Sequence, residues 1–224
     1  MPSRRPNRIV VVASPKGGTG KSTLVTNLLT AARLEGIDAV GIDLDGQGSL
    51  TSWGEDRASI GRRPDIRIVA SRLPDWEDAL ASVHAAQLAL VDCPPGLDDR
   101  GTMHDIRGLM RVSHLVLMPC LPQGPTLRKV GDFGHAIRTA MGVDAIFILN
   151  QVIAGRALLP DARRFLTERG ELAPVEVPMR EDVHRATDVG MASVEDARLG
   201  AHEAMRGVWQ FVARRLSLAT REAA

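Results

Sequence analysis

The chain has 224 residues, 44% of them hydrophobic and 25% charged, which is enough for one sizeable α/β domain and too apolar for a disordered chain. A net charge of +1 gives no bulk attraction to nucleic acid, so any such surface must be a local patch. Cys93 and Cys120 lack a C-x-x-C partner and read as reduced, buried thiols. No stretch reaches the ~18 apolar residues of a spanning helix, and the basic residues 1–8 precede no signal-peptide core, so a cytoplasmic protein is expected.

Residues 1–8, with Arg4, Arg5 and Arg8, read as a short tail. The apolar run Ile9-Val10-Val11-Val12-Ala13 then enters Ser14-Pro15-Lys16-Gly17-Gly18-Thr19-Gly20-Lys21-Ser22-Thr23, and a helix over 22–34 follows, ended by Gly36. Strand, glycine loop and helix in that order are the setting of a phosphate cradle. The glycines let successive N–H groups converge on one anion, and the helix beginning at Lys21 adds the positive end of its dipole. Lys21 is placed to reach the β- and γ-phosphates and the Ser22 hydroxyl to hold Mg²⁺.

The loop departs from G-x-x-x-x-G-K-[ST] at its first position, where Pro15 stands, and beside it is an extra lysine. Only Lys16, Lys21 and Lys129 are lysine among the 28 basic residues, so two of the three sit in this loop. A slim ammonium fits among phosphates where a planar guanidinium does not. K-G-G-T-G-K-S-T resembles the deviant Walker A motif of the ParA/MinD family of ATPases. That resemblance implies ATP and Mg²⁺ as cofactors and nucleotide contacts from Gly17, Gly18, Thr19, Gly20, Lys21, Ser22 and Thr23. It also implies an ATP-bound homodimer in which Lys16 crosses to the phosphates of the partner subunit.

A strand is expected over Ala39–Asp43, making a right-handed crossover unit with the first. Asp43-Leu44-Asp45-Gly46-Gln47-Gly48 follows at the carboxyl end, where open α/β sheets bind ligands. It resembles the family's D-x-D-P-Q switch with Gly46 in place of proline, which implies that Asp45 orients the attacking water and Asp43 supports the metal shell. Residues 50–64 read as irregular or partly helical, with Trp53 as packing. A strand over 66–70 and an amphipathic helix over 74–86 follow, with Trp76, Leu80 and Val83 on its apolar stripe. The apolar strand Leu88-Ala89-Leu90-Val91-Asp92 ends in an acid that can hold a metal-bound water opposite Ser22. With Cys93-Pro94-Pro95-Gly96-Leu97 it resembles the family's Walker B strand and following loop.

A helix over 99–112, a strand over 114–118, a proline-bearing loop over 119–126 and a helix over 127–141 come next. His104, His114 and His135 show no metal-ligand spacing. The strand Ala145–Leu149 ends at Asn150, which matches the family's adenine-contacting asparagine. Ile153 stands where a guanine-specific N-K-x-D pattern needs aspartate, which favours ATP over GTP. A helix over 158–169 and a short last strand, Val175-Glu176-Val177, lead to Pro178, Met179 and Arg180, the loop that in the family covers adenine. Ser193 is expected to cap a final helix ending near 216, with 217–224 as a tail.

The expected fold is α/β: a P-loop NTPase with a mostly parallel sheet of about seven strands, helices on both faces, and a single domain over 9–216. The resemblance spans nearly the whole chain without an amino-terminal DNA-recognition domain, as in the short ParA type. It implies slow ATP hydrolysis stimulated by a ParB-like or other adaptor, and a nucleoid-associated protein that positions a plasmid, chromosome or other cargo. Non-specific double-stranded DNA would meet Arg156, Arg163, Arg164, Arg169, Arg206, Arg214 and Arg215. Aromatic content of 3% without tyrosine disfavours base stacking. The alternative is a MinD-like protein whose carboxyl-terminal amphipathic helix, over 208–216, enters a membrane, although docking of that helix on the sheet explains Trp209 and Val212 equally well. Paired cysteines for an iron–sulfur carrier and a tyrosine tail for an autokinase are both missing from the sequence.

Overall fold

In a computed structural model that describes residues 5–96 and 101–218, one parallel sheet carries the glycine loop at its carboxyl edge. Its strands are β1 (Arg8–Val12), β2 (Ala39–Asp43), β3 (Arg67–Ala70), β4 (Leu88–Asp92), β5 (Leu115–Cys120), β6 (Ala145–Leu149) and β7 (Glu171–Leu172). They lie in the order β3-β2-β4-β1-β5-β6-β7, all pairs parallel. The helices are α1 (Lys21–Leu34), α2 (Ser49–Ser59), α3 (Trp76–Ser82), α4 (Met103–Val112), α5 (Gly124–Met141), α6 (Leu159–Thr167), α7 (Glu181–Thr187) and α8 (His202–Arg215).

The central strands are buried on both sides, which is why they read as continuous apolar runs. Alternation along β1 divides the core: Ile9 and Val11 face α3, α4, α5 and α6, while Val10 and Val12 face α1, α2 and α8. The chain turns to one side of β1 after α1 and to the other after α4. A crevice therefore opens at the end of β1, where ligands bind in such sheets.

Residues 50–64 are partly helical, as expected: α2 runs to Ser59, and the Asp43 carboxylate reaches eight residues on to take the Thr51 N–H and hydroxyl at 2.9 and 2.8 Å. Such a cap is invisible to local patterning. The last strand is Glu171–Leu172 rather than 175–177, since Pro174 has no N–H for the ladder. The expected segment still runs beside β6, with the Val177 N–H on the Leu149 carbonyl at 2.9 Å. Ser193 does not cap the final helix. It opens a 3₁₀ turn, Ser193–Glu195, with its hydroxyl buried and unpartnered, and α8 begins at His202.

The helix expected over 74–86 is a 3₁₀ turn, Leu73–Asp75, followed by α3. Residues 97–100, the expected start of the next helix and Leu97 of the Walker B loop, lie outside the described residues, as do 1–4 with Arg4 and 219–224. Arg8 belongs to β1 rather than to a tail, with its Nε on the Leu216 carbonyl at 3.0 Å.

Candidate nucleotide-binding site

The loop between β1 and α1 is shaped by what surrounds it. Gly18 and Gly20 take left-handed backbone, with φ of 72° and 85°, and a Cβ on Gly20 would run into the Asn150 carboxamide. Pro15 accepts the Gly96 N–H at 3.3 Å, tying the first half of the loop to the segment after β4. Helix α1 starts at Lys21 with the Leu24 N–H on the Gly20 carbonyl at 3.0 Å. Thr23 turns its carbonyl to Asn27 and Thr26. The N–H groups at this helix start are thus left for an anion.

The two loop lysines differ sharply. Lys21 is 6% exposed and its charge acts on Asp92, whereas Lys16 is exposed and exerts no comparable effect there. Asp92, at the end of β4, is fully buried, and neither carboxylate oxygen has a partner at hydrogen-bond geometry. Burial pushes its carboxyl up to about 7, while the nearby Ser22 hydroxyl and the Lys21 ammonium pull it down. A buried acid with both oxygens open, beside a hydroxyl and a lysine, fits a hydrated Mg²⁺ bound to phosphates. The buried hydroxyl of Thr19 is likewise unpartnered.

Asp43, in register with Asp92 on the neighbouring strand, is already engaged. Besides Thr51 it takes the Asp45 N–H at 3.1 Å, so its first role is to anchor α2. Asp45 is half-buried, closing a turn on the Gln47 N–H at 3.0 Å, in the loop between β2 and α2. Helix α2 is fixed at its far end by Arg57, which pairs with Glu195 at 2.9 Å and stacks over Trp53. Both partners are buried, and Arg57 also donates to the Gly190 and Pro64 carbonyls.

Across the crevice, the end of β6 grips the loop. Asn150 donates to the Thr19 carbonyl at 2.7 Å and Gln151 to the Gly18 carbonyl at 3.0 Å. Pro178 bridges Val152, and Met179 follows with its N–H on the Val152 carbonyl at 2.9 Å. Leu121, Pro122, Gln151, Ile153 and Met179 line a cleft of about 90 Å³ there. Arg180 precedes α7 and is exposed. Sequence reasoning passed over Gln151, Thr51 and Arg57; the position of Gln151 directly after a strand-ending asparagine was the one available signal.

The arginines expected on DNA are dispersed. Arg163 is bound bidentately by Glu176, Arg164 pairs with Asp161, Arg169 with Asp132, and Arg215 with Asp144 and Glu171. Among the described residues, Arg156, Arg206 and Arg214 have no carboxylate partner. The apolar face of α8 is spent on the core, with Trp209 at 1% and Val212 at 0% exposure. No helix among the described residues is long and apolar enough to cross a membrane. His114 accepts the Ile9 N–H, and His135 contacts the Arg169 carbonyl.

A glycine loop leading into a helix at the switch point of a parallel sheet, with a buried lysine and an open buried acid, defines a P-loop nucleotide-binding protein. Comparison with known proteins narrows this. The CobQ/CobB/MinD/ParA nucleotide-binding domain family matches residues 10–194, and the chain belongs to that family, as a ParA/MinD-type ATPase. It is 29% identical over 174 residues to maintenance of carboxysome distribution protein A of Gloeobacter kilaueensis, covering 75% of each chain. It is 31% identical over 150 residues to the protein of that name from Halothiobacillus neapolitanus, covering 63% of this chain and 65% of that one. The fold matches the MinC:MinD cell division complex of Aquifex aeolicus with a TM-score of 0.74 at 18% identity, over 97% of this chain and 98% of that one.

Proposed function

We propose that the protein is a positioning ATPase that works as a nucleotide-bridged dimer. The observation that carries this reading is the contrast within one loop: Lys21 is buried beside Asp92, while Lys16 stands exposed at the rim. A second cation placed outside its own phosphate site is available to a neighbouring subunit. In that arrangement Lys16 supplies in trans charge for the oxygens of the transferring phosphoryl group.

Within each subunit, Lys21 and the N–H groups of Gly17, Gly18, Thr19, Gly20, Ser22 and Thr23 cradle the phosphates. Ser22 and Asp92 would hold Mg²⁺, with Asp43 keeping the switch loop in place. Bound Mg²⁺ supplies charge neutralisation on the phosphates. Asp45 orients the attacking water, and Asn150, Pro178, Met179 and Arg180 frame the adenine. Hydrolysis gives ADP and phosphate and dissolves the dimer, slowly until an adaptor protein accelerates it.

For the readout we propose duplex DNA, contacted through backbone phosphates by Arg156, Arg206 and Arg214, the members of the expected arginine set that have no carboxylate partner among the described residues. The two curated relatives are named for carboxysome distribution, which makes a protein-bounded compartment the first cargo to test. If the dimer is the active species, ATP turnover per molecule, measured with Mg²⁺ over a dilution series, rises with protein concentration. Turnover that stays constant on dilution would contradict it.

A further inference from the structure

We propose that Gln151 is a positioning residue for the phosphate loop, holding the Gly18–Thr19 peptide so that the Thr19 N–H faces the nucleotide. The proposal rests on the nucleotide reading above and adds a residue that reading does not use.

A trans peptide places its carbonyl and the following N–H on opposite sides, so fixing one fixes the other. The Gln151 carboxamide donates to the Gly18 carbonyl at 3.0 Å, which turns the Thr19 N–H the other way. Asn150 does the same one peptide further on, donating to the Thr19 carbonyl at 2.7 Å and so directing the Gly20 N–H. Two adjacent side chains at the end of β6 thus orient two adjacent N–H donors more than 130 residues earlier in the chain. Glycines make such a loop able to adopt many backbone shapes, and these two amides select one.

The backbone at Gln151 supports a role beyond filling space. Its φ is 54°, in the left-handed region, where a glutamine costs about 1 kcal/mol or more relative to glycine. Among the described residues, only Gln151 and Ser217 take positive φ without being glycine. The Asn150 carboxamide oxygen accepts the Gln151 N–H at 3.0 Å, locking the two residues to each other. The same side chain lines the cleft with Leu121, Pro122, Ile153 and Met179, where a base would lie. A contact with the base alone is therefore the competing role, and it makes a different prediction.

The test is calorimetric titration of the full chain with Mg-ATP and, separately, with Mg-tripolyphosphate, which has no base. Two variants are compared with wild type: Gln151→Met, which keeps the length without the donor, and Gln151→Gly, which also relieves the left-handed backbone. Positioning predicts that both lose roughly five- to tenfold in affinity for both ligands, as for one neutral hydrogen bond. Gln151→Gly should do so while unfolding at the same or a higher temperature, so that affinity and stability move apart. A loss on ATP with tripolyphosphate unchanged would make Gln151 a base contact and overturn the proposal. Unchanged affinity for both ligands would overturn it as well. If wild type binds neither ligand, the nucleotide reading itself falls, a failure distinct from that of the variants alone.

Discussion

The phosphate end of the sheet and the arginine-bearing surface of α6 and α8 treat charge in opposite ways. At the phosphate end, Asp92 is buried with two open oxygens and Lys21 is buried close enough to act on it, a costly arrangement that a bound metal and anion would satisfy. On the arginine surface, Arg163, Arg164, Arg169 and Arg215 already hold carboxylates in or near solvent. The lesson is that an unsatisfied charge is informative where a numerous one is not.

The largest effect that would break this contrast is at Lys21. Lys21→Ala is expected to weaken Mg-ATP binding by at least about a hundredfold, the scale of lost charge-assisted hydrogen bonds, with the far-ultraviolet spectrum unchanged. Binding close to wild type in calorimetry would mean that the buried lysine serves only the fold. Next comes an arginine unlike those of the surface. Arg57→Leu leaves the Glu195 carboxylate with only the Ala192 N–H at 2.7 Å and Arg62 at 3.9 Å, and is expected to lower unfolding free energy by about 3 kcal/mol in urea titration. A loss below about 1 kcal/mol would show Arg62 or water taking the place of Arg57.

The smallest effects sharpen the contrast on the arginine surface itself. Arg206→Ala with Arg214→Ala should weaken ATP-dependent DNA binding and reduce the slope of log affinity against log salt by roughly 0.9 for each phosphate no longer neutralised. Arg163→Ala, whose charge Glu176 already balances, should change that slope little. Equal losses from both changes, read by fluorescence anisotropy, would mean that the surface pairs open when DNA binds.

What was legible in the sequence follows from distance along the chain. The parallel sheet and the phosphate loop were readable because strand, glycines, lysine and helix are contiguous, and because apolar runs end in polar residues at Asp43, Asp92 and Asn150, the first two in register. The grip of Gln151 on Gly18 joins residues 133 apart, and the Arg57–Glu195 pair joins residues 138 apart. No local pattern carries either. Over 50–64 only partial helicity was legible, since the cap that fixes the start of α2 is an aspartate on the preceding strand. For the arginines the sequence shows their number but not their partners: the acids that pair with Arg163, Arg169 and Arg215 come from other elements.

The central claim is that Lys16 acts across a dimer. Light scattering with Mg-ATP tests it most directly, on chains in which Asp45→Ala blocks hydrolysis. The account predicts that Asp45→Ala alone doubles in mass on adding ATP, and that adding Lys16→Ala leaves a monomer that still binds ATP. A Lys16→Ala chain that dimerises with ATP as the parent does would contradict it.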